Sequence, residues 1–197
     1  MGIIDWMKKL ASPASAGEPA TRSGPARTRR ENTSPTTSTS PPEENLVNAA
    51  ESEAPPDLSA EELQSAEVGG LNFMDAITAH QKWKTRLANY LAGTSTEKLD
   101  YRQICRDNQC VLGKWINGPG GDVYGHMPVF SQLKMSHGQF HLAAGSIVQL
   151  VDEGHIEDAR AALRQDYSKH SVKVQGLIST LYIEVTEAKA GATSKES

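Results

Sequence analysis

Cysteine is scarce in this chain of 197 residues, with only Cys105 and Cys110. So few thiols exclude a disulfide scaffold, and a five-residue spacing inside one helical stretch suits a bridge between them poorly, because the side chains would diverge. Long apolar runs are also missing, which excludes a membrane-spanning helix. The apolar start Gly2-Ile3-Ile4 is cut by Asp5 and has no basic stretch before it, so it does not read as a secretory signal. The chain is therefore expected in the cytoplasm, with both cysteines reduced. An excess of positive charge is absent as well. Lys and Arg number 20 against 24 Asp and Glu, a net charge of −4, which argues against a nucleic-acid partner, and no membrane contact is expected.

What is present divides the chain into parts. Ile3, Trp6, Met7 and Leu10 follow helical spacing with Asp5, Lys8 and Lys9 on the other side, so residues 1–10 form a short amphipathic docking helix. At that length it needs a surface: a groove or membrane, or its own domain, and periodicity does not separate these. Residues 11–57 hold eight of the ten prolines amid Ser, Thr, Ala and Gly, with Arg22, Arg27, Arg29 and Arg30 followed by a carboxylate-rich second half. With almost no large apolar side chain to offset the entropy of ordering, this extension is expected to be disordered.

From residue 58 to 187 the pattern is helical, and strand alternation does not compete with it. Ser59 offers an N-cap, and a long helix carries Phe73, Ile77, His80, Trp83, Leu87 and Leu91 on one stripe. A further helical stretch opens at Asp100 and stops at Asn117-Gly118-Pro119. A break near Asp107-Asn108 is expected, because an unbroken helix would turn Cys110 away from the apolar face; the break puts Cys110 in a first helical turn, where the dipole favours thiolate. Gly118 to Gly125 reads as a loop. Two long helices follow, from about Val129 to Val151 and from about Ile156 to Glu187, and residues 188–197 form a flexible tail. The fold class expected is all-α, an antiparallel four-helix bundle with a disordered N-terminal extension.

Three histidines fall inside apolar stripes. His137 and His141 stand one turn apart in Ser136-His137-Gly138-Gln139-Phe140-His141, so their imidazoles project from one helix face. A lone inward histidine is more often a hydrogen-bonded core residue than a ligand. Three of them with a cysteine, on helices that would pack together, make a different case, since imidazole and thiolate are donors that zinc accepts. The helix motif lacks the Glu of His-Glu-x-x-His, because Gly138 follows His137, so the metalloprotease base is absent. Gly120-Gly121-Asp122 is followed by Val123-Tyr124 and is no cyclase signature. Cys105, His126, His155 and His170 lie outside the pattern.

The order His80-x-x-Trp83, Cys110-x-Leu112-Gly113-x-Trp115, His137-x-x-x-His141 resembles the chemoreceptor zinc-binding domain, CZB, of bacterial chemoreceptors and some diguanylate cyclases. The resemblance spans about Leu71 to Glu187. It implies that His80, Cys110, His137 and His141 ligate Zn2+, that Trp83 and Trp115 fill the family's aromatic positions, and that Gly113 allows a close approach. It further implies a homodimer and a regulatory role, sensing zinc or oxidant in chemotaxis or cyclic-di-GMP signalling, rather than an enzyme. Beside the motif stand only the 1–10 helix and the linker, with neither a receptor coiled coil nor a cyclase. A standalone regulator is therefore expected, reaching a chemotaxis or diguanylate cyclase protein through Met1-Leu10. The alternative is a structural or zinc-buffering module without signalling output.

Overall fold

The computed structural model describes residues 3–12 and 66–193, and these are overwhelmingly helical, in keeping with the all-α expectation. The linker beyond Ser12 and the cap at Ser59 lie outside the described residues. Three long helices pack against one another: α2 (Phe73–Leu91), α6 (Pro128–Asp152) and α8 (Ser168–Thr193). Each turns its apolar stripe inward, so that Ile77, Leu87, Leu133, Phe140, Ile147, Ile178 and Leu181 are fully buried in a common core. A polar seam crosses it: Gln81 Nε2 donates to Gln175 Oε1 at 3.2 Å, and Gln175 Nε2 donates to Ser171 Oγ at 3.0 Å, pinning α2 to α8.

Between α2 and α6 the chain is broken into short pieces: α3 (Tyr101–Ile104), a 3-10 turn (Asp107–Gln109), α4 (Val111–Ile116) and α5 (Pro119–Tyr124). The break expected near Asp107 is present. The loop expected over Gly118 to Gly125 is not: Pro119 opens α5, where its missing N–H costs nothing. Packing explains the helix. The bare backbone of Gly120 lies on the Trp115 ring, and Tyr124 meets that ring at 5.8 Å. The last long helix also differs from expectation. α7 (Ile156–Ala162) and α8 are joined by a π turn over Leu163–Tyr167, and helix persists to Thr193, past the tail boundary at 188.

A two-stranded hairpin, β1 (Glu67–Val68) and β2 (Leu71–Asn72), precedes α2. Gly69 and Gly70, both at positive φ, make its two-residue turn, a Gly-Gly signal that helical periodicity overshadowed. The hairpin buries Val68 and Leu71, and the Gly69 carbonyl accepts the Trp115 indole N–H at 2.8 Å.

The N-terminal helix α1 (Ile3–Ala11) packs along α8. Its Met7 is wholly buried, and the Leu10 carbonyl comes so near Gly176 that a Cβ there would stand 3.0 Å from it. Of the surfaces open to this helix, its own domain is one it uses. Met7→Asp should therefore undock α1, because burying an unpaired carboxylate costs several kcal/mol. Amide exchange over residues 3–11 should accelerate to near-random-coil rates while α2, α6 and α8 stay protected; unchanged protection would contradict the docking.

Candidate metal centre

The four motif residues meet at one point. A donor atom from each of His80 (α2), Cys110 (start of α4), His137 and His141 (α6) lies within 4.8 Å of all the others. Cys110 Sγ stands 3.3 Å from His137 Nε2, close to the edge of about 3.5 Å that a tetrahedron of zinc–nitrogen and zinc–sulfur bonds requires. The three imidazoles are buried and the thiol half-buried.

Backbone carbonyls aim two of the rings. His80 Nδ1 is 2.6 Å from the Ala76 carbonyl, one turn earlier in its own helix, and His141 Nδ1 is 2.7 Å from the Ile104 carbonyl at the end of α3. A carbonyl oxygen only accepts, so each Nδ1 carries the hydrogen and each Nε2 keeps a lone pair. His141 Nε2 is buried with no hydrogen-bond partner. That orphaned lone pair, directed at two more imidazoles and a sulfur, is the feature a borderline-soft cation satisfies. The donor set fits zinc.

Electrostatics hold the imidazoles neutral. Burial pushes His80 down from 6.5 to about 4, against the opposing pull of its bond to Ala76, and proximity to His141 adds to the lowering. Burial likewise lowers His137 to about 2, reinforced by His80 and His141, and lowers His141 against the bond to Ile104 and the nearby Asp107 charge. Neutral rings need lose no proton before ligating.

Cys110 departs from expectation in an informative way. It is the N-cap of α4, and its Sγ accepts the Gly113 N–H at 3.2 Å, so the helix-end effect is present. Burial nevertheless outweighs it and raises the thiol above its usual range, with the Asp107 charge pushing the same way and the Gly113 and Leu112 N–H groups opposing. The thiolate thus depends on a cation beside it.

Glycine at 113 is dictated by the 3-10 turn. A Cβ there would fall 1.7 Å from the Asp107 carbonyl oxygen, an impossible distance against backbone. Trp115 is a core residue, meeting Phe73 edge-on at 5.6 Å. Trp83 instead is half-exposed, with the Arg86 guanidinium 3.9 Å above its ring. Sequence reasoning missed the Ala76 and Ile104 carbonyls, which no side-chain pattern announces, and Asp107, which it treated only as a helix breaker. It also missed Phe140, whose ring sits 5.0 Å from His80 and 5.5 Å from His141. Cys105 stays apart as a free thiol, packed over the bare backbone of Gly145.

Residues 80–148 match the family model described as the chemoreceptor zinc-binding domain, CZB. No curated protein and no solved structure matches the chain.

Two outcomes follow from this geometry. Gly113→Ala should displace the turn from α4, cost at least about 2 kcal/mol and pull Cys110 off the other donors, lowering metal affinity in equilibrium dialysis; wild-type affinity would refute the close approach. In the metal-free protein the unfolded chain takes protons near pH 6.5 whereas His80 in the fold resists until about pH 4. The stability these buried rings contribute is therefore complete above about pH 6.5 and lost as pH falls toward about 4, at roughly 1.4 kcal/mol per pH unit for each such imidazole. Urea titrations of chelator-treated protein across that window measure the slope, and a flat profile would mean that the rings are not held neutral.

Proposed function

We propose that this chain is a cytoplasmic zinc-binding regulator of bacterial signalling, acting in chemotaxis or cyclic-di-GMP control and sensing zinc or oxidant through its His3Cys centre. The observation that carries the reading is the convergence of His80, Cys110, His137 and His141 from three separate elements. Zinc, when bound, supplies a closed four-ligand cross-link and stabilises the Cys110 thiolate. The residues themselves do the rest. The Ala76 and Ile104 carbonyls orient His80 and His141, and Gly113 seats the cap that presents Cys110. A closed shell leaves no place for a hydrolytic water, which supports a regulatory rather than enzymatic role.

A route from the centre to the surface supports the signalling half. Phe140 touches both His80 and His141 and packs on Tyr167 at 5.3 Å, and Tyr167 closes the π turn leading into α8. π turns concentrate at functional sites. α8 in turn holds α1, so a change in packing at the centre is transmitted to the helix that reaches a chemotaxis or cyclase partner. A two-electron oxidation of the Cys110 sulfur to sulfenic acid by an oxygen-donating oxidant such as hypochlorous acid, with chloride leaving, removes one of the four donors. The protein acts as a homodimer on this reading. The rigid orientation of His80 and His141 would equally suit a structural or zinc-buffering staple.

Zinc stoichiometry on the purified full chain tests the foundation. One zinc per chain is expected, with loss or marked weakening in both Cys110→Ala and His141→Ala; retention at wild-type affinity in both would remove the ligand assignment. Mild oxidant then separates the readings. A sensor should release zinc with faster amide exchange in α1, and deletion of residues 1–10 should abolish partner binding, whereas a staple would lose only thermal stability.

A further inference from the structure

A cleft of about 380 Å³ opens beside the metal centre, and Cys110 and His141 form part of its wall. None of the four ligands accounts for the rest of the lining. Trp83 and Arg86 come from α2, Glu97, Lys98 and Asp100 from the segment after it, and Arg106 from the turn after α3.

Three cations therefore face two carboxylates, and both carboxylates are engaged. Glu97 accepts two hydrogen bonds from Arg86, one of them from Nε at 3.1 Å, and Asp100 accepts the Arg102 backbone N–H as the cap of α3. Lys98 and Arg106 have no ion-pair partner among the described residues. The Arg86 guanidinium stands 3.9 Å from the centre of the Trp83 ring, so one wall of the cleft presents a cation placed by an aromatic face. Asp107, the carboxylate that acts on Cys110, lies against Gly138 on α6 and is not part of the lining. Lys98 and Arg106 share this lining with Cys110.

We propose that this cleft is the port through which small anions reach the Cys110 sulfur, drawn in by Lys98 and Arg106 and guided along the Trp83–Arg86 wall. The inference rests on Cys110 being the reactive donor of the centre, and it adds a selectivity: anionic electrophiles and oxidants arrive ahead of cationic ones. The field of a lined cleft enhances arrival of opposite charge by about 10-fold to 1,000-fold, and salt screens it.

The test uses the full-length zinc-loaded chain with Cys105→Ser, which leaves Cys110 as the single thiol. Two methanethiosulfonates are compared, one with a sulfonate and one with a trimethylammonium group. In each case the Cys110 sulfur attacks the reagent's thio sulfur and a new S–S bond forms. Methanesulfinate leaves with the old bond's electrons, and any thiol proton passes to water. After normalisation to free cysteine, the anionic reagent should react on the order of 10-fold faster than the cationic one. High salt should shrink that preference, and Lys98→Glu with Arg106→Glu should reverse it. Equal rates in the parent, a preference untouched by the double reversal, or no labelling of Cys110 by either reagent would overturn the port. Zinc stoichiometry in the same samples keeps the two ideas apart: zinc retained on a fully labelled chain would remove Cys110 as a ligand, while the charge dependence of the rates would still report on the cleft.

Discussion

The two backbone carbonyls behind His80 and His141 are the contacts on which the centre depends. Ala76 and Ile104 accept from Nδ1, and this leaves Nε2 lone pairs facing His137 and Cys110. A buried acceptor without a donor costs roughly 1–3 kcal/mol, and His141 Nε2 is such an atom. A proton would satisfy it, but burial has made protonation of all three rings unfavourable. What remains is a cation able to take four donors at once. On the proposed reading a metal meets this demand, and part of the fold's stability is then linked to metal binding.

That linkage shapes the surrounding architecture. The carbonyl behind His141 belongs to α3, and the thiol is delivered by the turn and α4, so the broken stretch between residues 101 and 116 is held to α6 partly by the centre itself. The long helices rely on other means. Gln81 bonds Gln175 across α2 and α8, Ser171 holds Gln175 from within α8, and Phe140 and Tyr167 fill the space between α6 and the π turn. On the proposed reading, a frame of long helices and a metal-dependent insert are thus joined at α6, which carries His137 and His141.

The extent to which the sequence foretold this follows the range of the forces involved. The stripes of α2, α6 and α8 and the break at Asp107 were legible because they depend on spacing and on local cap chemistry. The four residues that come together at the centre were legible because histidine in an apolar stripe is conspicuous and because their order resembles a known pattern. The helix α5 was not, since Gly120 and Tyr124 join it only through contact with Trp115, a tertiary effect that overrides the low helix propensity of Gly-Gly. The hairpin hid for a different reason: two-residue strands show no alternation, and only Gly69-Gly70 marks the turn. The π turn leaves no trace in composition at all.

Cys110 shows why a correct placement can still mislead about chemistry. Its position at a helix start promises a low thiol pKa, and the Gly113 N–H does stabilise negative charge on sulfur. A six-residue helix contributes little beyond its own end, however, and that effect falls off within a turn, whereas the surrounding His80, His137 and His141 rings take much of the water from the half-buried sulfur. Desolvation therefore prevails, and the adjacent Asp107 adds to it. A sulfur so placed is a weak nucleophile as a thiol and a strong one only beside a positive ion. On the proposed reading, metal and oxidant are then not independent stimuli, because the ion that closes the centre is also what arms its sulfur.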